Sequence, residues 1–185
     1  MQKLAEAKKV VILAKDGFEQ YELVASRNAL TAAGAEVHIV SLEPGTIVGW
    51  DRNSWGIEVK VDYIVKDVSS EDYDALILPG GLYNPDALLH DKNAINFVKS
   101  FFKPTQTKPV AAIRQGTRML EEADVLKGRK VTSYYDINSK PRNAGANWID
   151  EDIVIDNRLL TSRRSEDLRP FNKMIIEKIY HSQDD

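Results

Sequence analysis

Residues 109–117 read PVAAIRQGT, an apolar run that turns sharply at Arg114-Gln115-Gly116. The apolar run 109–113 is typical of a buried strand, and a helical pattern follows from Gly116. Small residues, Ala112 and Gly116, lie two positions before and two positions after Arg114. A strained residue between a strand and a helix needs such close backbone approach on both sides. The spacing permits two interpretations, a nucleophile-elbow type of turn centred on Arg114 or an ordinary tight strand-to-helix connection.

Short apolar runs alternate with helix-patterned stretches on both sides of this turn. Nearly continuous apolar strands of this kind predict an α/β fold, with a mostly parallel sheet, helices on both faces and small added hairpins. Ligands bind such sheets at the carboxyl ends of the strands, so a site is expected in loops 15–20, 79–86 and 114–117. The predicted elements are strands 8–14, 37–42, 75–78, 109–113 and 130–134, hairpins 45–68 and 153–161, and helices 18–34, 94–102, a segment from Gly116, and 166–181 with Ser165 as its N-cap.

The composition limits the classes of function. The chain has 185 residues, a formal net charge of -3 and no cysteine. Its length predicts a single domain, 1–185, and its acidic balance argues against nucleic-acid binding. No apolar run is long enough for a membrane span and the first residues lack a signal-peptide core, so we expect a cytoplasmic protein without a membrane partner. The lack of cysteine excludes disulfides and thiol nucleophiles, and the three histidines lack ligand spacing, so neither a metal nor a cofactor is predicted.

Six segments follow one another in a specific order within the part of the chain from Lys8 to about Ile179. They are KKVVILAKDGFEQYEL (8–23), LILPGG (76–81) with NPD (84–86), AAIRQG (111–116), LKGRKVTSY (126–134), NAGANWIDEDIVIDNRLLTSR (143–163) and EDLRPFN (166–172). In their order and spacing these segments resemble the ThiJ/PfpI superfamily, which includes DJ-1-like proteins and PfpI-type intracellular proteases within the class I glutamine amidotransferase-like fold. The resemblance implies a flavodoxin-like three-layer sandwich.

The resemblance also implies a cleft, position by position. The family's nucleophilic cysteine matches Arg114, and the histidine that follows it in the PfpI branch matches Gln115. The family's buried glutamate is matched to Glu19, and the backbone N–H groups of its oxyanion site are matched to Gly80 and Gly81. The scaffold, the glutamate and the glycine loop are therefore expected, whereas the nucleophile and its neighbouring base are absent.

This departure changes the expected chemistry. A guanidinium stays protonated and is not a nucleophile, and a glutamine does not transfer protons near pH 7. We therefore expect a non-catalytic member of the superfamily that binds a small anionic ligand or a partner in the former active-site cleft. We expect an ion pair between Glu19 and Arg114, with Arg118 adding positive charge. The predicted ligand-binding residues are Glu19, Gly80, Gly81, Arg114, Gln115 and Arg163.

Two other functions remain open at this point. A cysteine-independent hydrolase or lyase, related to peptidases, glyoxalases or deglycases, would activate water with Asp16, Glu19 or Tyr135 in the same cleft. A flavodoxin- or receiver-like signalling domain also fits the alternating pattern, but only Asp16 and Glu19 are available for its acidic cluster.

Three further residues lie outside the predicted cleft. His38 alternates with apolar neighbours and is interpreted as a structural histidine. Trp50 and Trp55 are interpreted as aromatics that cap the core or line a dimer contact. Because the resembling family commonly dimerises or forms larger assemblies, the resemblance implies a homo-oligomer.

Overall fold

Twelve strands and six α-helices form the part of the chain that the computed structural model describes, residues 7–181. The strands are β1 (Lys9–Leu13), β2 (Phe18–Glu19), β3 (Glu36–Ser41), β4 (Thr46–Asp51), β5 (Ser54–Lys60), β6 (Tyr63–Ile64), β7 (Ala75–Leu78), β8 (Val110–Ile113), β9 (Lys130–Val131), β10 (Asn147–Trp148), β11 (Ile153–Asp156) and β12 (Leu159–Ser162). The helices are α1 (Gln20–Ala32), α2 (Asn84–Leu89), α3 (Lys92–Ser100), α4 (Thr117–Glu122), α5 (Ser139–Asn143) and α6 (Leu168–His181).

Seven of these strands make the central sheet, in the order β11-β12-β8-β7-β1-β3-β6. The pairings are parallel except that of β11 with β12, which is the predicted hairpin. The carboxyl ends of β1, β7, β8 and β12 therefore meet at one edge of the sheet. This edge is where a site was expected.

Alternate residues of β1 face two separate apolar cores. Val10 and Ile12 pack with residues of α1 and α6, whereas Val11 and Leu13 pack with residues of α3 and α4. Each face of the sheet is therefore covered by helices, because a strand buried on both sides has to be apolar at successive positions. The three-layer α/β arrangement predicted from the sequence is confirmed.

Several predicted boundaries were wrong. The predicted strand 130–134 is shortened to β9, which pairs with β10 outside the main sheet. The predicted helix 18–34 begins at Gln20, because the preceding two residues pair with β4. Helix α2 was not predicted, since its Asn-Pro start resembles a turn, although proline is well suited to the first helical turn.

The predicted cap of the last helix was also wrong. A single 3-10 turn, Ser165–Asp167, precedes α6, and the side chain of Ser165 caps neither segment. Its hydroxyl points instead to Glu22 and Arg114, which lie at the edge of the sheet.

Residues away from this edge have structural contacts. His38 hydrogen-bonds the Tyr73 hydroxyl and the Glu36 carboxylate, which confirms its interpretation as a structural histidine. Trp50 packs edge-to-face on Trp55 across the β4–β5 hairpin, and both rings contact Tyr83 in the loop after β7. Within residues 7–181, none of the helices has the length and apolar character that a membrane crossing requires.

Candidate functional site

Arg114 lies at the turn between β8 and the 3-10 segment that leads into α4. Its φ of 51° is in the left-handed region, which costs a non-glycine residue on the order of 1 kcal/mol or more. A Cβ atom on Gly116 would overlap the carbonyl oxygen of Leu78 at the end of β7. The turn therefore has the strained centre and the close backbone approach of the elbow interpretation.

The carboxylate beside Arg114 belongs to Glu22 rather than to Glu19. Glu22 Oε1 lies 3.5 Å from Arg114 Nη1 and accepts a hydrogen bond of 3.0 Å from the Ser165 hydroxyl. Its second oxygen, Oε2, accepts a 2.7 Å hydrogen bond from the backbone N–H of Gly80. The side chain of Glu22 is fully buried, so these three groups replace its hydration. The predicted ion pair between Glu19 and Arg114 is corrected accordingly.

Glu19 has a different role at the start of the same helix. It is the N-cap of α1, and its Oε2 accepts a 2.7 Å hydrogen bond from the backbone N–H of Glu22. Because a helix repeats every 3.6 residues, Glu22 shares its face with the buried Ser26 and Leu30, whereas Glu19 precedes the helix. The interval of four residues between Glu22, Ser26 and Leu30 was the sequence signal that could have identified Glu22 as the inward-facing carboxylate.

Burial dominates the protonation of both carboxylates. It raises the pKa of Glu22 from 4.5 to about 7, although the nearby positive charge of Arg114 lowers it and Glu19 raises it further. Burial also raises the pKa of Glu19, against the hydrogen bond from the Glu22 backbone and the charge of Arg114. Near neutral pH, Glu22 can therefore both hold and release a proton.

One edge of the Arg114 guanidinium is free of protein acceptors. Nη1 contacts Glu22 and, at 3.3 Å, the Ser165 hydroxyl, and the guanidinium lies 4.7 Å from the centre of the Tyr134 ring. Among residues 7–181, Nη2 and Nε donate no hydrogen bond, and 24% of the side chain is exposed. The guanidinium therefore keeps donors that the protein leaves unused.

The glycine loop after β7 is already engaged. The N–H of Gly80 binds Glu22, and its carbonyl accepts a 3.0 Å hydrogen bond from the backbone of Glu19. Gly81 has a φ of 135° and pairs with Phe18, where a Cβ atom would overlap the carbonyl oxygen of Gly17. The Gly80 N–H, which was expected to hold an anion, is thus used to hold the Glu22 carboxylate.

Gln115 follows Arg114 and lies against the same loop. Its Oε1 is buried without a hydrogen-bond partner in the described part of the chain. A Cβ atom on Gly80 would lie 2.7 Å from this oxygen and 2.9 Å from Glu22 Oε2. Gln115 therefore packs beside the buried carboxylate.

The other predicted cations bind carboxylates of their own. Arg163 contacts Asp150 and Asp152, and these contacts raise its pKa. Arg118 Nη1 lies 2.6 Å from Asp86. Arg163 was predicted to bind the ligand and Arg118 to add positive charge, but the fold places aspartates next to both side chains.

An open cleft of about 780 Å³ lies beside the Arg114 cluster. Ser165 belongs to both, since it contacts Arg114 and lines the cleft. Three carboxylates and one arginine are among the lining residues, so the cleft has acidic walls. The lining consists of Glu19, Gln20, Tyr21, Val24, Asp51, Arg52, Ile57, Ser165 and Glu166.

Two of the candidate acid–base groups lie elsewhere. Asp16 Oδ1 accepts a 2.9 Å hydrogen bond from the Val48 backbone, and Tyr135 is 59% exposed and packs on Trp148. The part of the chain in the structure, residues 7–181, brings together no group of three histidine, aspartate or glutamate side chains suited to a metal ion.

Sequence comparison places the chain among known proteins. The model of the DJ-1/PfpI family matches residues 8–178. The deglycase PfpI of Pyrococcus furiosus is 39% identical over 169 residues, which are 91% of this chain and 98% of that protein. General stress protein 18 of Bacillus subtilis is 37% identical over 167 residues, 90% of this chain and 94% of that protein.

Comparison with solved structures gives the same family. A two-domain protein of Anabaena variabilis, with DJ-1/ThiJ/PfpI-like and ferritin-like domains, superposes with a TM-score of 0.87 at 31% identity. The match covers 93% of this chain and 48% of that longer protein. The three-layer sandwich described above is thus of the flavodoxin-like type found in these proteins.

Proposed function

Because the chain belongs to the DJ-1/PfpI family, we propose that it is a member without thiol chemistry whose cleft binds a small molecule through an anionic group held at Arg114. In this proposal, Arg114 stands where the resembling family has its nucleophilic cysteine. The chain has no cysteine at any position, so no other thiol can replace it. Relatives named as deglycases or as a putative cysteine protease are thus similar to a chain that itself has no thiol.

The free edge of the Arg114 guanidinium carries the proposal. Nη2 and Nε are two donors in a fixed plane, which suits the two oxygens of a carboxylate. The acidic walls of the neighbouring cleft disfavour a second negative group. We therefore expect a zwitterion, such as a free amino acid, to bind better than a dicarboxylate of similar size.

Replacement of Arg114 by alanine is expected to weaken the binding of amino acids at least tenfold. The variant loses a charge-assisted pair of hydrogen bonds, which contributes about 1.5–3 kcal/mol. Binding of glycine and alanine can be followed by NMR chemical-shift titration of the natural chain and the variant. Arg118→Ala is the matched control, since Arg118 already binds Asp86. Equal affinity in the natural chain and in Arg114→Ala would contradict the proposal.

Replacement of Arg114 by cysteine tests the loss of thiol chemistry. A cysteine at this turn would lie beside Glu22, which in its protonated form can donate a hydrogen bond to the sulfur and so favour the thiolate that catalysis requires. We expect peptidase or glyoxalase turnover in Arg114→Cys and none in the natural chain. Turnover by the natural chain that Glu19→Ala abolishes would instead favour the cysteine-independent hydrolase.

A further inference from the structure

We propose that Ser165 is an acyl acceptor that attacks carboxylic esters, with Glu22 as its base and Arg114 as the cation beside the developing negative charge. This activity goes beyond ligand binding and needs no thiol. It rests on the same cluster of side chains, and it does not require that a stable anionic ligand binds at the free edge of Arg114.

The geometry is that of a nucleophile and its base. The Ser165 hydroxyl donates to Glu22 Oε1 at 3.0 Å, within the range of a productive proton transfer. The other carboxylate oxygen is fixed by the Gly80 N–H at 2.7 Å, so the base is held in one orientation. Ser165, Glu22 and Gly80 lie in three separate segments of the chain. The fold brings them together, so the serine and the glutamate form a pair with a fixed orientation.

Arg114 supplies the third component. Its Nη1 donates to the Ser165 oxygen at 3.3 Å, where it favours the negative charge that forms as the proton leaves. One lone pair of the hydroxyl oxygen remains available for attack. The unused Nη2 and Nε donors lie on the same guanidinium and can bind the oxyanion of a tetrahedral intermediate.

The position of Ser165 gives a substrate access. Ser165 is partly exposed and lines the cleft of about 780 Å³, whereas Glu22 is fully buried behind it. The proton acceptor is therefore buried, and the residue that carries the nucleophile borders the cleft. Burial raises the pKa of Glu22 to about 7, which suits a base that acts near neutral pH.

The reaction is a balanced acyl transfer. The Ser165 oxygen forms a bond to the ester carbonyl carbon while the Glu22 carboxylate takes the hydroxyl proton. The tetrahedral intermediate breaks its bond to the alkoxide, which accepts this proton and leaves as the alcohol. Water then attacks the acyl group with Glu22 again as the base, and the proton returns to the Ser165 oxygen as the carboxylic acid leaves.

The test uses p-nitrophenyl acetate, with p-nitrophenolate release and peptide mass spectrometry as readouts. We expect one acetyl group on Ser165 and a labelling rate that rises with pH through about 7 as Glu22 ionises. Ser165→Ala is expected to lose the label, and Glu22→Gln to slow labelling at least tenfold, because its amide cannot accept the proton. Ser54→Ala, which alters a serine in the β4–β5 hairpin, is the control.

Other outcomes would overturn the proposal. These are an acetyl group found only on lysine or tyrosine, the absence of both labelling and p-nitrophenolate release that depends on Ser165, or labelling of Ser165 at the same rate in Glu22→Gln. If Glu22→Gln does not fold, the pH profile of the natural chain decides, and a labelling rate that does not change through pH 7 overturns the role of Glu22. Loss of amino-acid binding in Arg114→Ala tests the proposed function separately.

Discussion

Replacement of Gly116 by alanine is expected to lower the free energy of unfolding by about 3 kcal/mol, the upper part of the range for an overpacked site. The added Cβ atom would overlap the Leu78 carbonyl oxygen and lie 3.1 Å from the Pro79 carbonyl oxygen. Both obstacles are backbone atoms at the end of β7, so no side-chain rotation relieves them. Urea denaturation followed by far-UV circular dichroism measures the loss.

Gly128→Ala is the matched control for this substitution. Gly128 has a φ of 76° and no atom within 4 Å of the site of an added Cβ atom. It therefore tests backbone strain without crowding, with an expected cost of about 1 kcal/mol. Gly116 is not in the left-handed region, so its substitution tests crowding alone. A loss in Gly116→Ala no larger than that in Gly128→Ala would contradict the close approach of β7 and the turn.

The importance of Gly116 could be predicted from the sequence because a turn is a local property. Apolar residues before Arg114 and small residues on both sides of it restrict the backbone within a few residues. The buried strands β7 and β8 follow in the same way from runs of apolar side chains. These patterns needed no knowledge of distant parts of the chain, but they did not identify the backbone atoms of Leu78 and Pro79 that crowd Gly116.

The local sequence pattern did not show whether Glu19 or Glu22 faces the sheet. Which of two carboxylates faces the sheet depends on where α1 begins. This start is set by the pairing of Phe18 and Glu19 with β4, about thirty residues later in the chain. A helix beginning at Phe18, as the sequence predicted, would have put Glu19 inside the helix. The actual start makes Glu19 the cap and turns Glu22 toward Arg114.

The partners of Arg163 depend on tertiary structure to a similar degree. Asp150 and Asp152 lie more than ten residues before Arg163 and reach it only because β11 folds back on β12. The sequence reveals the hairpin but not the direction of the arginine side chain. The arginines counted in the sequence therefore suggested more positive charge at the site than the folded chain places there.

Replacement of Glu22 by glutamine is expected to flatten the dependence of stability on pH. The unfolded chain releases this proton near pH 4.5, whereas the folded chain holds it up to about 7. Between these values the folded state binds more protons, so the free energy of unfolding falls as the pH rises. The interval corresponds to a loss of about 3 kcal/mol between pH 4.5 and 7. Glutamine does not titrate in this range, so the variant lacks this pH-dependent part of the free energy of unfolding.

Glu121→Gln is the comparison for this measurement. Burial also raises the pKa of Glu121 to about 7, but Lys140 and Arg118 are the cations that lower it, so its contribution has the same sign and is independent of Arg114. Urea unfolding at pH 5 and pH 7 should show a smaller decrease in stability in each variant than in the natural chain. If the free energy of unfolding of Glu22→Gln fell between pH 5 and pH 7 as much as that of the natural chain, Arg114 would be keeping Glu22 ionised over this whole range. In that case the buried pair is a permanent ion pair, and the rate of Ser165 acetylation should not rise with pH through 7.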